Sequence, residues 1–405
     1  MITTTQRRKV ALLALAPLAL TLGLAACSSD SVGSGTATGS GSDTGTGTGT
    51  ATEDASASED FSSILPTGDA VQFSKDLVET SLSATEGFTP SDTGPTAQED
   101  GATIAYVGSD LTNGGINTVA TGVEEAAAAI GWSVDSYDGK ATAQGRSDAL
   151  SQAIAAQPAA IILGGFDPTE QASTIAQATD AGIPVIGWHA GAAAGPGNGL
   201  FTNVTTDPLE VSQLAAAYAV ADSDGKAGVA IFTDGQYDIA VLKADAMKAY
   251  IEACEECQVL DYQDSPIAEA DQRMPGIISN LLQTDGDDLT ALLAINGNYF
   301  GGAQQALRAA GKDAAGPPIS VAAGDGDAAE FQRIRNEDYQ AATVAEPLIL
   351  QGWQLVDEAN RALAGEDPSD FVPAPALITK ENVPDGDVFD PASGYRDVYL
   401  QVWGK

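Results

Sequence analysis

From Gly101 onward, the chain alternates between short apolar runs and segments with helical periodicity, and this alternation constrains the fold more than any other feature. The first run, TIAYVGS at 103–109, is followed by Ile116, Val119 and Val123, which fall on one face of a helix. The runs WSVDSYDG, AAIILGG and IPVIGWH continue the pattern. Strands joined by crossover helices predict a parallel sheet that is covered on both faces.

The same alternation starts again after residue 206, with the runs AGVAIFT, CQVLDYQ, LTALLAI, PISVAAG and QAATVA. Two such units in tandem predict an α/β fold in which two doubly wound parallel-sheet lobes are joined by a hinge. The predicted first lobe comprises residues 101–206 and 346–376. The predicted second lobe comprises residues 207–345 and 377–405.

The first hundred residues have the composition of an export and anchoring region. Basic residues 7–9 precede an uncharged, mostly Ala and Leu run, which predicts a secretory signal at 1–27. Leu-Ala-Ala-Cys at 24–27 resembles a bacterial lipobox, in which Cys27 becomes the lipid anchor; the alternative is an ordinary signal with an incidental cysteine. Residues 28–60 are predicted to be a disordered, flexible Gly/Ser/Thr linker, and residues 61–100 are predicted to be an extension with one short helix, AVQFSKDLVETSL. We therefore expect an extracytoplasmic lipoprotein on the outer face of the cell membrane.

Composition excludes several classes of function. A net charge of −38 repels phosphate backbones, so we expect no nucleic-acid partner. The chain has no Gly-x-Ser-x-Gly elbow, Walker loop, His-Glu-x-x-His helix or complete dinucleotide fingerprint, and only one histidine. We predict that it is not an enzyme and has neither a cofactor nor a metal site. Cys254 and Cys257 are predicted to form a disulfide outside the cytoplasm, although a Cys-x-x-Cys pair can also be redox-active or half of a metal site.

Polar and aromatic residues cluster where the predicted strands of both units end, which is where ligands meet open parallel sheets. Carboxylates and amides bond hydroxyls, while aromatic rings pack against the C–H face of a sugar. This inventory favours a neutral polyol. The candidate ligand-binding residues are Ser109, Asp110, Asn113, Asp167, Trp188, His189, Asp234, Tyr237, Asn296, Asp325 and Glu346.

Several of these stretches, within about residues 101–380, resemble the type I periplasmic binding proteins of sugar ABC transporters, the ribose-binding group, and especially its lipoprotein members. In AGIPVIGWHAG, Trp188 and His189 stand where the family usually has an Asp-Arg pair that binds sugar hydroxyls. In LLAINGNYFGGAQQALRAAG, Asn296 keeps the ligand-binding amide, and Gly297 stands where Asp is common.

Two further segments carry the resemblance. SVAAGDGDAAEF matches a strand end at which Asp325 inherits a hydroxyl-accepting role, and AATVAEPLILQGW matches a hinge segment in which Glu346 replaces the usual Gln. The arginine with which the family grips ring and anomeric oxygens has no evident counterpart. The assigned site is therefore net acidic, which disfavours phosphorylated or carboxylated sugars.

The resemblance implies a monomer that binds a neutral monosaccharide or related small polyol by hinge closure. Its closed form would be recognised by permease subunits served by a separate ATPase. Two alternatives stay open: a sensor that presents an autoinducer, nucleoside or amine to a membrane receptor, and a lipoprotein enzyme.

Overall fold

The computed structural model describes residues 60–405, so the predictions for the signal peptide, for Cys27 and for nearly all of the linker lie outside the described residues. Within this range no helix has both the length and the hydropathy needed to cross a bilayer. The first element is helix α1, Ala70–Leu82, which covers the amphipathic segment of the extension and is capped by the Asp69 side chain. It packs against the second lobe.

The first lobe is built on a six-stranded sheet with the order β2-β1-β3-β4-β6-β5, in which only the β5–β6 pair is antiparallel. The strands that are joined by helices run parallel because each crossover helix returns the chain to the end of the sheet at which the preceding strand began. Pattern reasoning missed the β5–β6 hairpin, since β5 is a Gly-Pro-Gly segment without apolar residues. The elements are β1 Thr103–Gly108, α2 Gly114–Ile130, β2 Ser133–Asp138, α3 Ala143–Ala155, β3 Ile161–Gly164, α4 Ala172–Asp180, β4 Val185–Trp188, β5 Gly195–Gly197 and β6 Leu200–Val204.

The second lobe repeats this architecture with the sheet order β12-β11-β10-β9-β7-β8, in which only the β11–β12 pair is antiparallel. Just after α6, the sulfur atoms of Cys254 and Cys257 are bonded at 2.12 Å. The elements are α5 Pro208–Asp222, β7 Gly228–Thr233, α6 Asp238–Glu252, β8 Gln258–Asp264, a 3-10 turn Ile267–Glu269, α7 Ala270–Thr284, β9 Ala291–Ala294, α8 Tyr299–Ala309, β10 Ile319–Ala322, α9 Ala328–Asn336, β11 Ala342–Ala345, α10 Leu348–Ala364, β12 Ala376–Thr379 and α11 Tyr395–Trp403.

The C-terminal residues divide between the lobes differently from the prediction. Strand β12 pairs with β11, as the assignment of residues 377–405 to the second lobe requires. Helix α11 instead packs on α10 and α2 of the first lobe, where Tyr399 and Trp403 stack on Trp353. Helix α11 carries the aromatic residues that cover α10, and a secondary-structure pattern does not indicate which surface an aromatic face covers.

Within residues 60–405 the chain consequently passes between the lobes five times, through residues 83–102, 205–207, 346–347, 365–375 and 380–394. Residues 205–207 and 346–347 connect the carboxyl ends of β6 and β11 directly to the helices of the other lobe. These two are the shortest of the five connections.

Candidate functional site

A cleft lies between the loops at the carboxyl ends of the strands of both sheets. Nine of the eleven sequence-predicted ligand-binding residues line it: Ser109, Asp110, Asn113, Trp188, His189, Asp234, Tyr237, Asn296 and Asp325. The cavity has a volume of about 80 Å³, several times the roughly 10–15 Å³ that one water needs. The two lobes therefore enclose a space for a small ligand.

The lobes meet closely at the N-terminus of α2, which begins after Asn113, whose side chain accepts a hydrogen bond from the amide of Ile116. A Cβ atom on Gly115 would lie 2.7 Å from Cγ of Asp325 on the opposite lobe. A glycine at this position permits the helix terminus to approach the Asp325 carboxyl. The structure thus describes a closed cleft.

Asp325 follows β10 and has a left-handed backbone conformation, with φ 62°. Its side chain is buried at the cleft, and burial raises the pKa of its carboxyl well above the ordinary value, although nearby Lys243 opposes this shift. A raised pKa favours the protonated carboxyl, which can both donate and accept hydrogen bonds.

Glu346 lies beneath the cleft and is completely buried. Its Oε2 atom accepts hydrogen bonds from His189 Nε2 at 2.9 Å and from Thr206 Oγ1 at 2.7 Å, and its Oε1 atom lies 3.0 Å from Lys243 Nζ. Burial alone would raise the pKa of Glu346, but His189 and Lys243 outweigh it and hold the pKa well below its ordinary value. Glu346 is therefore an ionised carboxylate.

His189 lies directly above this carboxylate, with its ring stacked on Trp188 at a centroid distance of 4.0 Å. Burial lowers its pKa despite the opposing influence of Glu346, so the imidazole is neutral near pH 7. Because Nε2 donates to Glu346, Nδ1 remains as a hydrogen-bond acceptor. The pair of rings provides a flat surface at the cleft.

The same residues could be read as a metal centre, because His189, Asp325 and Glu346 bring one potential ligand atom each within 4.8 Å of one another. The amine of Lys243 already bonds to Glu346. A bound cation would have to displace that amine, so the arrangement does not favour a metal.

Two predicted residues lie outside the cavity lining. The Asp167 carboxylate accepts hydrogen bonds from the amide and hydroxyl of Thr169, as a turn residue does. Glu346 lies below the cavity. Pattern reasoning placed both at strand ends but could not determine which way their side chains point.

Among the lining residues that sequence reasoning missed, Lys243 is a buried cation. It lies one turn after Ile239 and Ala240 on the buried face of α6. A lysine at a core position of a helical pattern is the signal that could have identified it, since lysine is almost never fully buried without a partner.

Gly297, at which the chain departs from the resembled pattern, has a packing explanation. A Cβ atom there would lie 2.2 Å from the side chain of Glu330, which is completely buried and accepts hydrogen bonds from the amide of Gly326 and from Gln340. An aspartate at this position is incompatible with that packing.

Comparison with known proteins gives one family and many structural neighbours. The family model described as "Periplasmic binding protein domain" matches residues 104–367. None of the curated protein sequences matches the chain significantly.

Three similar solved structures are solute-binding or sugar-binding proteins. A protein from Agrobacterium vitis, an ABC transporter solute-binding protein bound with alpha-D-tagatopyranose, has 21% identity and a TM-score of 0.63, and the match covers 72% of this chain and 100% of that one. A Bacillus halodurans solute-binding protein with bound myo-inositol has 21% identity, a TM-score of 0.61 and coverages of 71% and 98%. A glucose-galactose binding protein from Geobacillus stearothermophilus has 20% identity, a TM-score of 0.62 and coverages of 71% and 100%.

Proposed function

The chain belongs to the periplasmic binding protein domain family, and we propose that it is the lipid-anchored solute-binding component of an ABC importer for a neutral monosaccharide or small polyol. The observation that carries this proposal is the closed cleft, in which polar groups from the strand ends of both lobes converge on one small cavity. The three neighbours bind tagatopyranose, myo-inositol, and glucose or galactose, which supports a small polyhydroxylated ligand.

Hinge closure follows from this arrangement. A ligand that first contacts one lobe gains its remaining hydrogen bonds only when the other lobe closes, so its binding energy shifts the population toward the closed form. Membrane permease subunits would then recognise that form, and a separate ATPase would supply the energy. Lipidation of Cys27 would hold the protein at the outer face of the membrane; incorporation of labelled palmitate that is lost in Cys27→Ala tests this anchor.

A thermal-shift screen of monosaccharides, polyols, nucleosides and amines tests the ligand class. At a ligand concentration of 100 Kd, binding adds about 2.7 kcal/mol of stability, which raises the melting temperature measurably. We expect one or a few neutral sugars or polyols to give this shift, at one site per chain. A shift from amines or nucleosides alone would contradict the proposal.

Asp325→Ala should abolish binding of the active compound and lower the stability of the ligand-free protein by only about 1–2 kcal/mol, because alanine is strained at the left-handed φ of 62°. The matched control is Asp167→Asn, because Asp167 also follows a strand but does not line the cavity. Isothermal titration calorimetry of both variants should give no heat for the first and wild-type affinity for the second. Retained affinity in Asp325→Ala would show that the ligand binds elsewhere.

A further inference from the structure

Glu346 connects the two lobes through charged and polar contacts without itself reaching the cavity. It belongs to one of the short connections between the lobes, and its side chain has no solvent exposure. Lys243 approaches it from α6 of the second lobe, and His189 approaches it from the end of β4 in the first lobe. Glu346 therefore acts on a ligand only through the two residues that lie above it.

Charge is the property that Glu346 controls. Lys243 lines the cavity, and its side chain is only 5% exposed. A lone buried ammonium at a ligand site attracts carboxylates and phosphates strongly, because the low local dielectric amplifies the interaction. The 3.0 Å contact with Glu346 cancels this attraction. The acidic side chains of Asp110 and Asp234 in the lining disfavour an anion further.

We propose that Glu346 is a specificity-determining residue: by neutralising Lys243 from below, it makes the closed cleft reject carboxylate-bearing sugars in favour of their neutral counterparts. The inference rests on the proposed function and adds a mechanism for choosing ligand charge. Lys243 can still donate hydrogen bonds to a ligand, since only one of its three N–H groups is needed for Glu346.

Asp325 is the group that could compensate if Glu346 were removed. In Glu346→Gln, Lys243 still has the Asp325 carboxyl as a neighbour, and ionisation of Asp325 would take over part of the pairing. If Asp325 ionises in the ligand-free variant, the net charge of the cleft is the same as in the wild type. An acidic sugar that takes over the pairing with Lys243 then returns Asp325 to its protonated form, because burial favours that form. The bound acidic sugar meets one carboxylate fewer than in the wild type in either arrangement, so its affinity relative to the neutral counterpart should rise.

The experiment compares Glu346→Gln with the wild type by isothermal titration calorimetry at pH 7. The probes are D-glucose with D-glucuronate and D-galactose with D-galacturonate, together with any neutral sugar found in the screen. We expect the ratio of acid to neutral affinity to rise at least 10-fold in Glu346→Gln. It should return toward the wild-type ratio in the double variant Lys243→Met/Glu346→Gln, which removes both charges.

Glu358→Gln is the matched control, because Glu358 is also a buried glutamate but bonds to Ser369 away from the cleft. It should leave the affinity ratio unchanged. A Glu346→Gln variant that binds neutral sugar with an unaltered ratio overturns the inference and leaves the proposed function intact. An equal change in the control assigns the effect to stability and overturns the inference as well.

A second readout needs no ligand. His189 is the only histidine of the chain, so one labelled imidazole signal in an NMR titration of the untagged protein reports on it without assignment. Loss of the Glu346 charge should lower the pKa of His189 further, because Glu346 is the group that raises it. An unchanged His189 titration would show that Glu346 carries no charge, which refutes the inference even if no tested sugar binds and the proposed function fails.

Discussion

Single buried acids illustrate how this protein treats charge at the scale of the residue. The chain carries a net charge of −38, yet several of its carboxyl groups are almost fully buried. Glu346 is ionised because Lys243 and His189 surround it. Glu358 of α10 accepts hydrogen bonds from Ser369, and burial raises its pKa to about 7. The pKa values of two buried glutamates are therefore shifted in opposite directions by their surroundings.

The elevated pKa of Glu358 predicts a pH dependence of stability. Its folded pKa of about 7 exceeds the ordinary glutamate pKa of 4.5, so its favourable contribution is complete below pH 4.5 and is lost as the pH rises through 7. The loss amounts to about 3 kcal/mol, at 1.36 kcal/mol for each pH unit between the two values. Glu358→Gln cannot ionise and should escape this loss.

Urea unfolding at pH 5 and pH 8 measures the effect. The stability of the variant relative to the wild type should increase by about 2–3 kcal/mol between these two pH values. Parallel pH profiles for the two proteins would contradict the assignment.

At the scale of the element, the contact between α2 and α10 sets the position of α10, the helix that follows the connection at residues 346–347. Gly122 and Gly352 face each other across this contact, and a Cβ atom on Gly352 would lie 2.5 Å from the carbonyl carbon of Gly122. The absence of both side chains brings the two helix backbones together. Helix α10, which begins two residues after Glu346, thereby packs against α2 and contacts β4 and β6.

Gly352→Ala should destabilise the protein by about 1–3 kcal/mol, because the new methyl group collides with backbone that cannot move freely. Gly276→Ala is the matched control in another helix, α7, where a Cβ atom meets nothing within 4 Å. That substitution should stabilise by about 0.5–1 kcal/mol through the lower chain entropy of alanine. Chemical denaturation of both variants should give effects of opposite sign; two effects of the same sign would contradict the packing explanation.

At the scale of the whole molecule, the extension joins the two lobes on the side of α10. Helix α1 binds the second lobe, where Ser74 and Tyr250 share a buried hydrogen bond of 2.9 Å. The following segment binds the first lobe, where Asn360 donates to the carbonyl of Pro95 and Arg361 donates to that of Thr93. The polar face of α10 is buried because this segment covers it.

A chain that begins at Gly101 should be markedly less stable than one that begins at Asp60. The deletion removes α1, leaves Asn360 and Arg361 without these partners, and exposes apolar surface that Phe88 covers. We expect a loss of several kcal/mol, visible as a lower melting temperature in differential scanning calorimetry. Equal melting temperatures would show that the extension only rests on the surface.

The repeated strand and helix pattern was sufficient to predict the two α/β lobes, helix α1 and the strand ends at which nine cleft residues lie. These features depend on local periodicity and on the rule that parallel strands present their carboxyl ends at one edge. The Gly-Pro-Gly strand β5, the position of α11 and the direction of Asp167 have no such local signal.

The charge of the site was decided by the tertiary structure. Lys243 and Glu346 are 103 residues apart in sequence, and His189 and Glu346 are 157 apart. The sequence contains all three residues, but a buried ion pair forms only at distances of about 3 Å, which the packing of the lobes sets. The sequence alone therefore determined which residues lie at the strand ends that border the cleft, whereas the folded chain determined which charges lie close together there.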